Sequence, residues 1–107
     1  MAEQLPAPET EQIDLGAVFS ALADPLRREA IAILATLPDD TERSCVSFGF
    51  TVAKASLTHH FKVMREAGLI HQFNYGNRRA CTLRRYDIEG RFPGLLAMVS
   101  AELRERN

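Results

Sequence analysis

The sequence predicts a mostly α-helical domain with one small β-hairpin, in the order α-α-α-α-β-β-α. Three observations predict it. Leu15, Val18, Phe19 and Leu22 recur at i, i+3, i+4 and i+7, which is one face of a helix. Leu57, Phe61, Met64 and Ala67 form a second apolar stripe at roughly helical spacing, and Gly68 follows where a left-handed cap suits a residue without a side chain. Asn74-Tyr75-Gly76-Asn77 separates two short apolar runs with residues that tolerate a positive φ, as a hairpin turn requires.

Taken in order, residues 1–12 hold Pro6, Pro8 and scattered acids with little to bury, and are expected to form a flexible acidic tail. Residues 13–107 form the domain. Its first helix carries the Leu15 stripe. Asp24-Pro25 interrupts it, Asp as a cap and Pro as the first residue of a second helix running to about Leu37. Arg27 and Arg28 lie near that helix's start, where the macrodipole does not favour cations, so they face a phosphate, a carboxylate or water. Pro38-Asp39-Asp40-Thr41 is a turn signal. In residues 42–52, Val46, Phe48, Phe50 and Val52 alternate with Ser47, Gly49 and Thr51, a period of two that suits a strand as well as a short irregular helix. Lys54 to Ala67 is the next helix. Leu69, Ile70, Phe73 and Tyr75 lead into the hairpin, and Arg79 to Leu83 return from it. Asp87 is placed to cap a last helix whose stripe is Phe92, Leu95, Leu96, Val99 and Leu103, with Pro93 bending or restarting it.

The 107 residues suffice for one domain with a modest core. No apolar run reaches the roughly 20 residues of a membrane span, and the acidic start does not resemble a signal peptide, so a cytoplasmic location is expected. The two cysteines, Cys45 and Cys81, do not form a C-x-x-C motif and read as reduced thiols. There is no glycine-rich phosphate loop, no carboxylate pair in a recognisable setting and no nucleophile elbow, which argues against an enzyme.

The net charge of −1 conceals an uneven distribution. Residues 1–14 carry four acids and no base, whereas residues 53–86 carry seven bases (Lys54, Lys62, Arg65, Arg78, Arg79, Arg84 and Arg85) against Glu66 alone. A local +6 in a mildly acidic chain is the footprint expected of a double-stranded DNA partner. The outer face of helix 54–67 presents Lys54, Ser56, Thr58, His59 and Lys62, and the hairpin tip presents Asn77, Arg78 and Arg79. A major groove admits one helix, which reads base edges, while a basic hairpin suits the flanking backbone or minor groove. The element order is that of a winged helix-turn-helix. An alternative use is a protein-protein interaction module that binds an acidic partner. His60 lies on the apolar side of its helix and is expected to be packed with one hydrogen bond. Cys45, near Arg43, is either a small buried hydrophobe or a redox-sensing thiol.

Residues 21–28, Ala-Leu-Ala-Asp-Pro-Leu-Arg-Arg, resemble the "ALADPTRR" opening of the ArsR/SmtB (arsenic-repressor-like) transcription regulators. Residues 57–70 are similar to that family's "VSRHLKVLREAGLV". The resemblance covers roughly residues 15–86. It implies a homodimer built through the first and last helices, here Leu15, Val18, Phe19, Leu95, Leu96, Val99 and Leu103, which binds a palindromic operator and usually represses its own operon. The chain departs from the family where "SVSELAEALGL" would give a scaffolding helix and this chain has residues 43–50. It also lacks the family's C-x-C or C-x-G pair, and its last helix has no histidine. No metal ligands or cofactor are therefore predicted, and a nickel or zinc effector would have no recognisable ligand motif.

Overall fold

The computed structural model describes residues 2–106. Asp14 starts the helical part: its carboxylate accepts from the Ala17 N–H at 3.0 Å and caps α1 (Leu15–Ala23). Asp24 repeats the device one helix later. Its Oδ1 accepts from the N–H groups of Leu26 and Arg27 at 2.9 and 3.2 Å, and α2 (Pro25–Ala35) begins with proline at its first position.

The two arginines that follow face neither phosphate, carboxylate alone, nor open water. Arg27 Nε donates to the Ala21 carbonyl at 2.7 Å, and Arg28 Nη1 donates to the carbonyls of Leu22 and Ala23 at 2.7 and 3.3 Å. They close the C-terminus of α1, where the unpaired carbonyls and the negative end of the helix dipole favour cations. Arg28 Nε also reaches Glu102 at 2.7 Å, and Arg27 Nη1 reaches His60 Nδ1 at 3.1 Å.

The ambiguous stretch after α2 is neither a long strand nor a scaffolding helix. Arg43–Ser44 forms a two-residue strand, β2, and Cys45–Phe48 forms a single 3-10 turn that Gly49 ends at φ +76°. Alternation misleads here because Val46 is left 76% exposed while Phe48 and Phe50 stack on each other, ring centroids 5.7 Å apart. Phe48 in turn packs on Phe61 at 5.6 Å, which braces the next helix with an aromatic contact in place of a helix face.

That helix, α3 (Lys54–Glu66), ends as expected. The Gly68 N–H donates to Arg65 O and the Leu69 N–H to Met64 O, both at 3.0 Å, with Gly68 at φ +88°. Gly68 is required twice over, since a Cβ there would lie 2.6 Å from a carbon of buried Ile13. The chain then enters β3 (Ile70–Asn74) and returns as β4 (Arg79–Leu83), in antiparallel register from Ile70↔Leu83 to Asn74↔Arg79.

Residues 2–12 are docked, contrary to the expected flexible tail over residues 1–12; Met1 lies outside the described residues. Glu3–Gln4 forms β1 against the outer edge of β3, so the wing is a four-stranded antiparallel sheet in the order β1-β3-β4-β2. Beyond β1 the chain is held by its own carbonyls. Pro6 O accepts from Arg65 at 2.9 Å, Pro8 O from Arg84 at 2.7 Å and Thr10 O from Arg91 at 2.6 Å. Prolines keep such a segment extended and expose acceptors with no N–H to satisfy. Docking through backbone acceptors leaves no apolar pattern in the sequence.

The last helical region is two helices. α4 (Arg85–Arg91) stops before Pro93, and Gly94 at φ +90° redirects the chain into α5 (Leu95–Arg106). Asp87 lies inside α4 rather than capping it, and accepts from Thr10 Oγ1 at 2.8 Å and Arg84 Nε at 2.9 Å. Of the residues expected at a dimer interface, Val18, Leu95, Leu96 and Val99 are buried within the single chain, and Leu103 is partly buried against the same core. They close the monomer. Leu15 and Phe19 remain exposed at 40% and 54%, joined by Met98 at 67%.

Burial raises the Asp24 carboxyl's pKa, but the N–H groups of Arg27 and Leu26 and the Arg27 charge outweigh it and hold the group below its usual value. A depressed carboxylate contributes stability that is complete above its unfolded pKa and is lost as pH falls through the folded one. Urea unfolding followed by circular dichroism should therefore show Asp24→Ala losing about 1 kcal/mol at neutral pH. The loss should shrink below about pH 4, where wild type has protonated the same group.

Candidate nucleic-acid interface

Among the exposed α3 side chains are Lys54, Ser56, Thr58, His59 and Lys62, with Ala55 and Glu66, while Phe61 and Met64 are buried and Leu57 and His60 half-buried. Every α3 residue expected to contact a partner is therefore on the outer side. Ala53 precedes the helix without a side-chain cap, so the first N–H groups of α3 are open to an anion beside Lys54. Thr58 Oγ1 donates to Lys54 O at 3.0 Å, which leaves its lone pairs and methyl group for a partner. His60 is turned inward, where its Nδ1 accepts the single hydrogen bond from Arg27.

The hairpin closes with the Tyr75 N–H donating to Arg78 O at 2.9 Å, and Gly76 sits at φ +90° with its N–H held by Asn74 Oδ1 at 3.0 Å. Asn77, Arg78 and Arg79 are all exposed at this tip. Between the tip and the N-terminal half of α3 runs a groove of about 530 Å³, with Lys54, Leu57 and Thr58 on one wall and Asn77, Arg78 and Arg79 on the other. Cys45, Phe61 and Gln72 contribute to its lining.

The basic footprint read from residues 53–86 divides into two sets. Arg65 is used on Gln72 and Pro6, Arg84 on Asp87 and Pro8, and Arg85 Nη1 and Nη2 donate to the carbonyls of Ala35 and Leu37 at 3.1 and 2.9 Å, closing α2. These three arginines hold the fold. Lys54, Lys62, Arg78 and Arg79 remain at the outer face, and only Arg78 has an ionic partner among the described residues, Glu42 at 3.9 Å.

Two residues that the sequence did not single out hold that tip. The Tyr75 hydroxyl donates to Glu42, and the Arg78 guanidinium stacks over the Tyr75 ring at 4.1 Å. Glu42 sits just before β2, so the edge strand carries the brace that aims Arg78. The signal available in sequence was weak: an acid and a tyrosine 33 residues apart.

Among the described residues, no group of three or more His, Cys, Asp or Glu side chains is placed to hold one metal ion. No described helix is long and apolar enough to cross a membrane.

No protein-family model and no curated protein matches this chain. Solved structures do. The chain is similar to a crystal structure of an ArsR family transcriptional regulator, with a TM-score of 0.60 and 24% identity over 86% of this chain and 90% of that one. It is also similar to an ArsR-like transcriptional regulator from Rhodococcus sp. RHA1, with a TM-score of 0.54 and 19% identity over 86% of this chain and 84% of that one. At this identity the likeness establishes the fold. The chain has the fold of a winged helix-turn-helix domain, with α3 followed by the β3–β4 hairpin.

The Tyr75 hydroxyl's pKa is raised above its usual value, first by its donation to Glu42 and then by burial and the Glu42 charge. In a Tyr86→Phe background, the alkaline absorbance titration should report Tyr75 alone. Glu42→Gln should then move its midpoint back down towards about 10; an unchanged midpoint would mean that Glu42 does not hold the tip.

Proposed function

We propose that the chain is a dimeric, sequence-specific DNA-binding transcription regulator, acting as a repressor. The α3 helix reads the major groove with Ser56, Thr58 and His59 at base edges and with Lys54 and Lys62 at phosphates. The wing, residues 74–79, lies along the flanking backbone or minor groove with Asn77, Arg78 and Arg79. The observation that carries this reading is the outer face of α3: a set of donors and cations, without an acid before Glu66, flanked across one groove by two further arginines. The two similar structures, both of transcriptional regulators, support it.

The dimer is built on α1. That helix has no charged residue, Leu15-Gly-Ala-Val-Phe-Ser-Ala-Leu-Ala23, yet only Val18, Ala21 and Leu22 are buried. An uncharged helix with most of its surface in solvent is an unfinished contact. Leu15 and Phe19, with Met98 of α5, are the apolar side chains left for a second copy. A two-fold dimer presents two α3 helices to the duplex, which calls for a palindromic operator.

Fluorescence titration of a duplex at several salt concentrations tests the reading. Four cations per protomer neutralise about eight phosphates per dimer, so log K should fall against log[salt] with a slope near −7. Lys62→Ala should weaken binding to all sequences and flatten the slope by about 2, whereas Thr58→Ala should relax sequence preference with the slope unchanged. A slope near zero in wild type would sink the reading. Phe19→Glu should sediment as a monomer and lose affinity for the palindrome; a variant that stays dimeric would remove α1 from the interface.

A further inference from the structure

Both cysteines lie at one place in the sheet. The register Arg43↔Cys81 and Ser44↔Ala80 puts Cys45 one step beyond the ladder of β2, on the same face as Cys81. Gln72 pairs with Cys81 from the other side, and its Nε2 donates to Cys45 Sγ at 3.6 Å. The two buried thiols thus share one face of the sheet and one neighbour, Gln72. Their access differs. Cys45 lines the groove between α3 and the wing and is 8% exposed, whereas Cys81 is fully enclosed.

We infer that Cys45 and Cys81 are a reversible dithiol–disulfide pair that responds to hydrogen peroxide and loosens the recognition helix when it closes. This rests on the DNA-binding reading only for its consequence. Cys45 is the attacking thiol: the neighbouring Cys81 thiol, the Gln72 amide that donates to its sulfur and the Arg79 cation lower its pKa against the effect of burial. Cys81 moves the other way, raised by the neighbouring Cys45 and by burial, so it stays a thiol until called on. In the first step the Cys45 sulfur displaces one oxygen of the peroxide. The O–O bond breaks, one water leaves, and Cys45 becomes a sulfenic acid. In the second, the Cys81 sulfur attacks the Cys45 sulfur, the S–O bond breaks, and the hydroxide leaves as water with the Cys81 proton. The dithiol has lost two electrons and two protons; the peroxide has become two waters.

Two routes carry the change to α3. Cys45 opens the 3-10 turn whose Phe48 packs on Phe61 of α3. Its Gln72 partner also accepts from Arg65 Nε of α3 at 3.0 Å. A sulfur drawn towards β4 disturbs both contacts at once.

The test uses the full chain, reduced and then treated with hydrogen peroxide. Intact mass should fall by about 2 Da per chain without dimer-sized covalent species, and a Cys45–Cys81 linked peptide should appear and vanish with dithiothreitol. Cys81→Ser should stop at a sulfenic acid that dimedone traps on residue 45, and Cys45→Ser should not react. DNA affinity should drop about tenfold on oxidation and recover on reduction. Stable over-oxidation of Cys45 without a bond, a bond only between chains, or a disulfide that leaves DNA affinity unchanged would each overturn the inference. Reduced protein that forms the bond yet binds no DNA in either state would overturn the coupling and the proposed function together, while the mass readout still decides the thiol pair.

Discussion

The α1–α2 corner is the constraint on which the rest of the structure depends. Within five residues, Asp24 caps the start of α2 while Arg27 and Arg28 cap the end of α1. The same two arginines then reach outward, one to His60 on α3 and the other to Glu102 on α5. One turn of chain therefore fixes four helices. Magnitudes decide which of these contacts matter most. An ion pair as exposed as Arg28–Glu102 is screened by solvent and contributes little, whereas a hydrogen bond from a charged group to an otherwise unpaired carbonyl contributes about 1.5–3 kcal/mol. The corner is held chiefly by arginine-to-backbone capping, and the outward contacts set direction. Through His60 the corner fixes the rotation of α3 about its own axis. That rotation places Lys54, Thr58 and Lys62 on the outside.

Arginine is used in the same way elsewhere. Arg85 closes α2, Arg84 and Arg65 hold the N-terminal segment, and Arg91 holds Thr10. A small chain with many short elements has many helix ends and few apolar residues to cover them. The planar guanidinium, with several donors in fixed directions, satisfies carbonyls on two elements at once. The consequence for function is that charge counted along the sequence overstates charge available to a partner. Lysine marks the outer surface here better than arginine does, because the two lysines are both exposed and form no ion pair among the described residues.

What was legible in the sequence was whatever repeats along one element. The stripes of α1 and α3, the Asp24-Pro25 start of α2, the glycine that ends α3 and the hairpin at 70–83 all follow from local patterns, and so does the separation of inward His60 from outward His59. What was not legible depends on groups without a pattern. The N-terminal segment docks through main-chain carbonyls. Glu42 and Tyr75 meet across 33 positions. The 42–52 stretch alternates because two phenylalanines stack, not because a strand continues. The stripe of α5 was visible, but periodicity gives no information on whether its partner is another helix of the same chain or of a second one. Leu95, Leu96 and Val99 turn out to face the former.

The central claim is that the outer face of α3 and the wing together read duplex DNA as part of a two-fold dimer. Selection of bound duplexes from a random pool by the reduced protein measures this directly. The expected outcome is enrichment of an inverted repeat whose half-site centres lie about 10–10.5 base pairs apart or a multiple of that, with the enrichment lost when Thr58 and Lys62 are both replaced by alanine. Recovery of a pool no different from the input, or of single half-sites with no preferred spacing, would contradict it.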